Sequence, residues 1–132
     1  MITTLVDSNV LFDRLSEDEE WFDWSSAMLA DAANAGAVAI NQVIYAEISV
    51  RYATIEDLDD ALSVDYYLHV SLPWEAAYLA GKAFAHHKRR TGTKRSPLPD
   101  FYIGAHAAVA GMAAVFVFRK RSLDPWEQPR PY

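Results

Sequence analysis

The chain has 132 residues, 52% of them hydrophobic, a formal net charge of −6 and no cysteine. That length fits a single domain burying roughly two-thirds of its unfolded-chain surface, and no apolar run reaches the ~18 residues that a membrane span needs. Without cysteine there are no disulfides and no thiolate ligands, so any metal would be held by oxygen or imidazole.

The net charge hides an asymmetry. Residues 1–80 carry 15 acidic and 2 basic side chains (−13), whereas residues 81–132 carry 3 acidic and 10 basic ones (+7). The N-terminus has no basic segment leading into an apolar signal stretch, and a cytoplasmic location is expected.

Along the chain, Ile2–Val6 reads as a buried strand with Asp7 at its carboxyl end, and Ser8 or Asn9 can cap a short helix. Ser16-Glu17-Asp18-Glu19 has the form of a capping box opening a second helix, with Trp21, Phe22, Trp24, Met28 and Leu29 at helical spacing and Gly36 as its stop. Ala37–Ile40 is a brief strand. Asn41 caps a helix through about Ala53, placing Val43, Glu47 and Val50 on one face. Thr54-x-x-Asp57 opens another helix, Tyr67–Ser71 is a strand, and Pro73 starts a long helix from Trp74 to about Arg90. A basic loop follows, then a helix from Pro99 or Asp100 to about Ala110 and a strand over Ala113–Phe118. This alternation predicts an α/β fold with a mostly parallel sheet and helices on both faces, spanning 1–118. Residues 119–132, holding Pro125, Pro129 and Pro131, form a separate tail. Ligands of such sheets bind beyond the carboxyl ends of the strands.

Three carboxylates stand in apolar surroundings: Asp7 after Leu5-Val6, Glu47 within Val43-Ile44-Tyr45-Ala46-Glu47-Ile48, and Asp100 within Leu98-Pro99-Asp100-Phe101-Tyr102-Ile103. A buried carboxylate either finds a cation or takes up a proton. A shared divalent ion would serve all three, and oxygen donors suit Mg²⁺ or Mn²⁺. Each acid also has a plainer reading: Asp7 as a helix cap, Glu47 paired with Arg51 one turn on, Asp100 complementing a helix dipole. Ser8 is placed to hydrogen-bond Asp7 or a metal-bound water. The run Lys88-Arg89-Arg90-Thr91-Gly92-Thr93-Lys94-Arg95 precedes Asp100 closely. Arg89, Arg90, Lys94 and Arg95 could steer a polyanion towards it, or form an ordinary solvated loop. His86-His87 lies beside the basic run and could touch phosphate, though it reads first as a solvated helix face; His69 and His106 read as packing or hydrogen-bonding residues. Trp21, Trp24, Trp74, Tyr66 and Tyr67 belong to the core or to an interface.

With these residues in place, the chain resembles the PIN-domain proteins, specifically the VapC-type toxin ribonucleases of bacterial toxin–antitoxin pairs. The resemblance rests on Leu5-Val6-Asp7-Ser8-Asn9-Val10-Leu11, on Ile44-Tyr45-Ala46-Glu47-Ile48, and on Leu98-Pro99-Asp100-Phe101-Tyr102-Ile103-Gly104-Ala105-His106-Ala107. It implies a three-layer α/β/α fold and a Mg²⁺- or Mn²⁺-dependent endoribonuclease whose metal-bearing carboxylates are Asp7, Glu47 and Asp100. It also implies a homodimer and a VapB-type antitoxin partner. The C-terminus departs from the pattern, in which the strand after the Asp100-type helix ends in Thr-Arg-Asp or similar, that Asp being a fourth acid, and an aromatic-rich final strand follows. Here Val115-Phe116-Val117-Phe118-Arg119-Lys120-Arg121-Ser122 holds none, and the fourth ligand is expected to be absent or loosely replaced by Asp124. The abrupt change after Gly111 is also what a shifted reading frame would write. The resemblance therefore leaves two readings open: an active RNA-cleaving toxin, or a catalytically weakened relative that binds an antitoxin without turnover. DNA-directed cleavage is a third.

Overall fold

The protein is described from a computed structural model covering residues 1–16, 19–91 and 98–115; for Arg90, Thr91 and Val115 only the backbone is described. Strand β1 (Thr4–Val6) leads into α1 (Ser8–Ser16) and α2 (Phe22–Ala35), then β2 (Val38–Ile40), α3 (Gln42–Ser49) and α4 (Ile55–Ala61). Strand β3 (Leu68–His69), α5 (Trp74–Thr91), α6 (Leu98–Ala110) and β4 (Ala113–Val115) complete the order.

The four strands form one parallel sheet in the order β3-β2-β1-β4. Thr4 lies opposite both Val38 and Ala113, and Ala39 lies opposite Leu68. Chain order runs outward from β1 to β3 and then jumps to β4 on the other side of β1. With right-handed crossovers, that reversal puts α5 and α6 on the face opposite the earlier helices, giving the expected α/β/α sandwich. The point of reversal is the carboxyl end of β1.

The sequence of β1 suits its central place. Thr4, Leu5 and Val6 are all buried, as both faces of an inner parallel strand must be. Around them pack Leu11, Val38, Ala39, Ile40, Ile44, Ile48, Leu58, Leu62 and Ile103. Edge strand β3 is short and exposed.

Several helix boundaries differ from the sequence reading. Ser16 does not cap α2: it closes α1, with its hydroxyl donating to the Phe12 carbonyl, and α2 begins at Phe22 after a turn. Helix α3 stops at Ser49, and its buried stripe runs through Ile44 and Ile48 while Val50 is 76% exposed. Both predicted caps of α3 and α4 are present. The Asn41 side chain accepts from the Ile44 N–H (3.0 Å) and that of Thr54 from the Asp57 N–H (3.1 Å).

Two glycines have positional reasons. Gly111 follows α6 at φ 69°, and the Met112 N–H bonds back to the Ala107 carbonyl at 2.8 Å, closing a Schellman turn that feeds β4. At Gly36 the constraint is proximity, since a Cβ there would collide with the backbone of Ile2, whose N–H bonds the Ala35 carbonyl. Gly36→Ala is expected to cost about 1–3 kcal/mol through overpacking. A thermal melt with an unchanged midpoint would contradict this contact.

Candidate active site

Asp7 lies at the end of β1, 2% exposed. Its Oδ1 accepts the Val10 N–H at 3.1 Å, so Asp7 itself is the N-cap of α1. The sequence reading assigned that cap to Ser8 or Asn9. Both instead fall within the first helical turn and are buried there. The capping reading and a ligand role are thus compatible, because a cap engages one carboxylate oxygen.

Ser8 points elsewhere. Its hydroxyl donates to Glu47 Oε1 at 2.9 Å, tying the first turn of α1 to α3. The sequence reading, which offered Asp7 or a metal-bound water, did not name this partner. The Arg51 guanidinium, considered as an i+4 partner of Glu47, lies over the Phe12 ring at 5.3 Å.

Glu47 is half-buried at the margin of its helix's apolar stripe. Burial pushes its carboxyl pKa upward, the Ser8 hydrogen bond pulls it down, and the negative charge of Asp100 raises it again. Glu47 and Asp100, 53 positions apart in the chain, therefore sense each other's charge. Asp100 sits in the first turn of α6, with Oδ1 buried.

What fixes α6 against α3 is a buried polar pair. The Asn41 Nδ2 donates to His106 Nδ1 at 3.0 Å while the Asn41 Oδ1 caps α3. His106 is 2% exposed, and burial lowers its pKa, which favours the neutral ring that this bond requires. The helices bearing Glu47 and Asp100 are thus joined behind the carboxylates. A second buried pair, Ser25 donating to Asp13 at 2.7 Å, joins α2 to α1. Neither pair was legible in the sequence, because nothing in residue spacing matches Asn41 to a histidine 65 positions away.

The three carboxylates are therefore linked in pairs, beginning with Asp7 where the strand order reverses. Asp7 and Glu47 are linked through Ser8, and Glu47 and Asp100 through repulsion. Among the described residues, no three acidic or imidazole side chains form a ready-made metal cage. The donor chemistry nevertheless fits a hard divalent cation: all three offer oxygen, and a cation would relieve the strain registered at Glu47. Of the basic residues singled out, Lys88 and Arg89 are exposed at the end of α5. The side chain of Arg90 and all of Lys94, Arg95 and Asp124 lie outside the described residues. His86 is exposed as expected. His87 is not on a solvated face but packs on Phe101, ring centroids 5.6 Å apart.

Comparison with known proteins agrees with this architecture. The PIN domain family model matches residues 4–120, thereby including all three carboxylates and ending before Asp124. A search of curated protein sequences finds no match. Among solved structures, a chain of a toxin–antitoxin complex from Klebsiella pneumoniae is 19% identical with a TM-score of 0.62, covering 98% of both chains. A chain from VapBC2 of Rickettsia felis bound to a promoter DNA fragment is 13% identical (TM-score 0.61; 97% of this chain and 94% of that one). One from VapBC-1 of nontypeable Haemophilus influenzae is 12% identical (TM-score 0.63; 96% and 93%). At these identities the likeness is one of fold.

Proposed function

Because the chain belongs to the PIN domain family, we propose that it is a metal-dependent endoribonuclease acting as the toxin of a type II toxin–antitoxin module. Asp7, Glu47 and Asp100 would hold Mg²⁺ or Mn²⁺. The observation that supports the reading is the Ser8 hydroxyl, one residue after Asp7, bonded to Glu47, whose carboxyl in turn feels the charge of Asp100. A bound divalent ion supplies an activated water and charge stabilisation at the phosphate being cleaved. The protein's part is to hold the acids in place: α1 is capped by Asp7, α3 by Asn41, and α6 is pinned through His106. The VapBC complexes among the structural neighbours support a VapB-type antitoxin as partner, and a homodimer is part of the same proposal.

The test is cleavage of labelled single-stranded RNA, which should need Mg²⁺ or Mn²⁺ and stop on chelation. Cleavage that survives chelation, or that persists in Asp7→Asn, Glu47→Gln and Asp100→Asn, would overturn the assignment. Protonation of Glu47 competes with metal, and its pKa lies above the usual value of 4.5. Activity is therefore expected to fall on acidification, with the acid limb moving lower as Mg²⁺ is raised. A limb indifferent to Mg²⁺ would remove Glu47 from the ligand set. The second reading, antitoxin binding without turnover, draws on the absence of an acid between Val115 and Ser122. It predicts a tight antitoxin complex and no RNA cleavage at millimolar metal.

A further inference from the structure

Helix α5 buries Ala76 and Ala80 and turns Phe84 and His87 towards α6. Directly opposite that face, at steps of four, four, four and three, stand Trp74, Tyr78, Lys82, His86 and Arg89. All five are exposed, Trp74 by 91% and Tyr78 by 64%. An outward stripe on a surface helix is ordinarily polar throughout. This one begins with two uncovered aromatic rings and continues with the cations Lys82 and Arg89 on either side of His86, with Glu75 as the one acid flanking its start. The Lys82 ammonium lies 5.3 Å from the Tyr78 ring centroid, so the two halves of the stripe are in contact.

The stripe also has a direction. Phe84 and His87 pack on Phe101 with centroids 5.8 and 5.6 Å away. The cationic end of α5 is therefore level with the first turn of α6, which carries Asp100. From Trp74 to Arg89 the stripe spans about 22 Å at 1.5 Å per residue. It forms a basic strip on a protein whose first 80 residues carry −13.

We infer that this face of α5 is a track for single-stranded RNA, with bases stacking on Trp74 and Tyr78 and phosphates meeting Lys82, His86 and Arg89 on the way to the carboxylates. The inference rests on the ribonuclease reading for its destination. Aromatic rings beside cations bind single strands without sequence preference, because every base has a stacking face and every phosphate a charge. The charge complementarity favours a polyanion over an apolar protein partner, for which Lys82 and Arg89 would be ill placed.

The test uses the full chain and a fluorescein-labelled 12-nucleotide single-stranded RNA in chelator, so that affinity is read by anisotropy without cleavage. Trp74→Ala is expected to weaken binding about tenfold. Lys82→Gln and Arg89→Gln should each lower the slope of log affinity against log salt by about 0.7. All three positions are exposed, so the fold should tolerate the changes, and melts of the variants check this. Asp7→Asn should bind as tightly as the parent while losing cleavage. Parent RNA cleavage with unchanged affinity in the stripe variants would overturn the track and leave the nuclease reading intact. Loss of self-association by sedimentation, with RNA affinity unaltered, would assign the face to a protein and overturn it too. Neither binding nor cleavage by the parent would overturn both.

Discussion

Asp7→Asn is expected to lower metal-dependent RNA cleavage by well over a hundredfold while leaving stability within about 0.5 kcal/mol of the parent. The two halves of this expectation have different origins. Asparagine caps a helix as well as aspartate does, and its side-chain oxygen can still accept the Val10 N–H. It cannot supply the negative oxygen that a hard cation needs. Even residues behind a metal ligand change affinity by about 10- to 100-fold when altered, and a direct ligand should exceed that range. Asp7→Ala provides the contrast: activity is lost and about 1 kcal/mol of stability goes with the cap. If Asp7→Asn unfolds the protein, the capping geometry is wrong; if it cleaves normally, the ligand role is.

The second large effect is on stability. Asn41→Ala should cost about 2–4 kcal/mol, combining the lost cap of α3 with the buried Nδ1 of His106 left without its donor. Denaturant unfolding with a midpoint close to that of the parent would contradict the pairing. His106 adds a pH dependence of definite sign. Its pKa in the folded protein is below the ordinary 6.5, so on acidification the unfolded chain takes up a proton first. The contribution is present above pH 6.5 and is lost as pH falls from 6.5 towards the lowered value. Glu47 acts oppositely, since a raised pKa makes the folded state bind its proton more tightly and stability drops as pH rises through and above 4.5. Comparing the parent with His106→Gln isolates the histidine: the variant should lose the part of the acid slope that begins near 6.5.

Most of the architecture could be read from local chemistry. Strand β1 announces itself as the apolar pair Leu5-Val6 after β-branched Thr4, Asn41 and Thr54 sit where caps must be, and Pro73 stands just before the long helix. Asp7, Glu47 and Asp100 were visible as charges that apolar neighbours cannot solvate. The Ser8 bond to Glu47 and the pairing of Glu47 with Asp100 by charge were not, because they depend on how α1, α3 and α6 are arranged by the whole chain. Where the reading failed, a local pattern had two uses. Ser16 fits a capping box, yet it completes α1 and bonds backward to Phe12. Val43 and Val50 look like a stripe with Glu47, but the sheet covers the neighbouring ridge of Ile44 and Ile48 and leaves Glu47 at its edge. That edge position half-buries the carboxyl and still leaves it within reach of a cation. The fourth acidic position and the C-terminal tail, including Asp124, fall outside the described residues.

The central claim is that one divalent ion gathers side chains contributed by β1's end, α3 and α6. Anomalous diffraction from a crystal of the protein grown with Mn²⁺ tests it most directly. A single manganese peak with each of Asp7, Glu47 and Asp100 either bound by a carboxylate oxygen about 2.1 Å away or hydrogen-bonded to a water on the ion is the predicted result. Manganese found only elsewhere, or held by one of these carboxylates with the other two turned away, would contradict it.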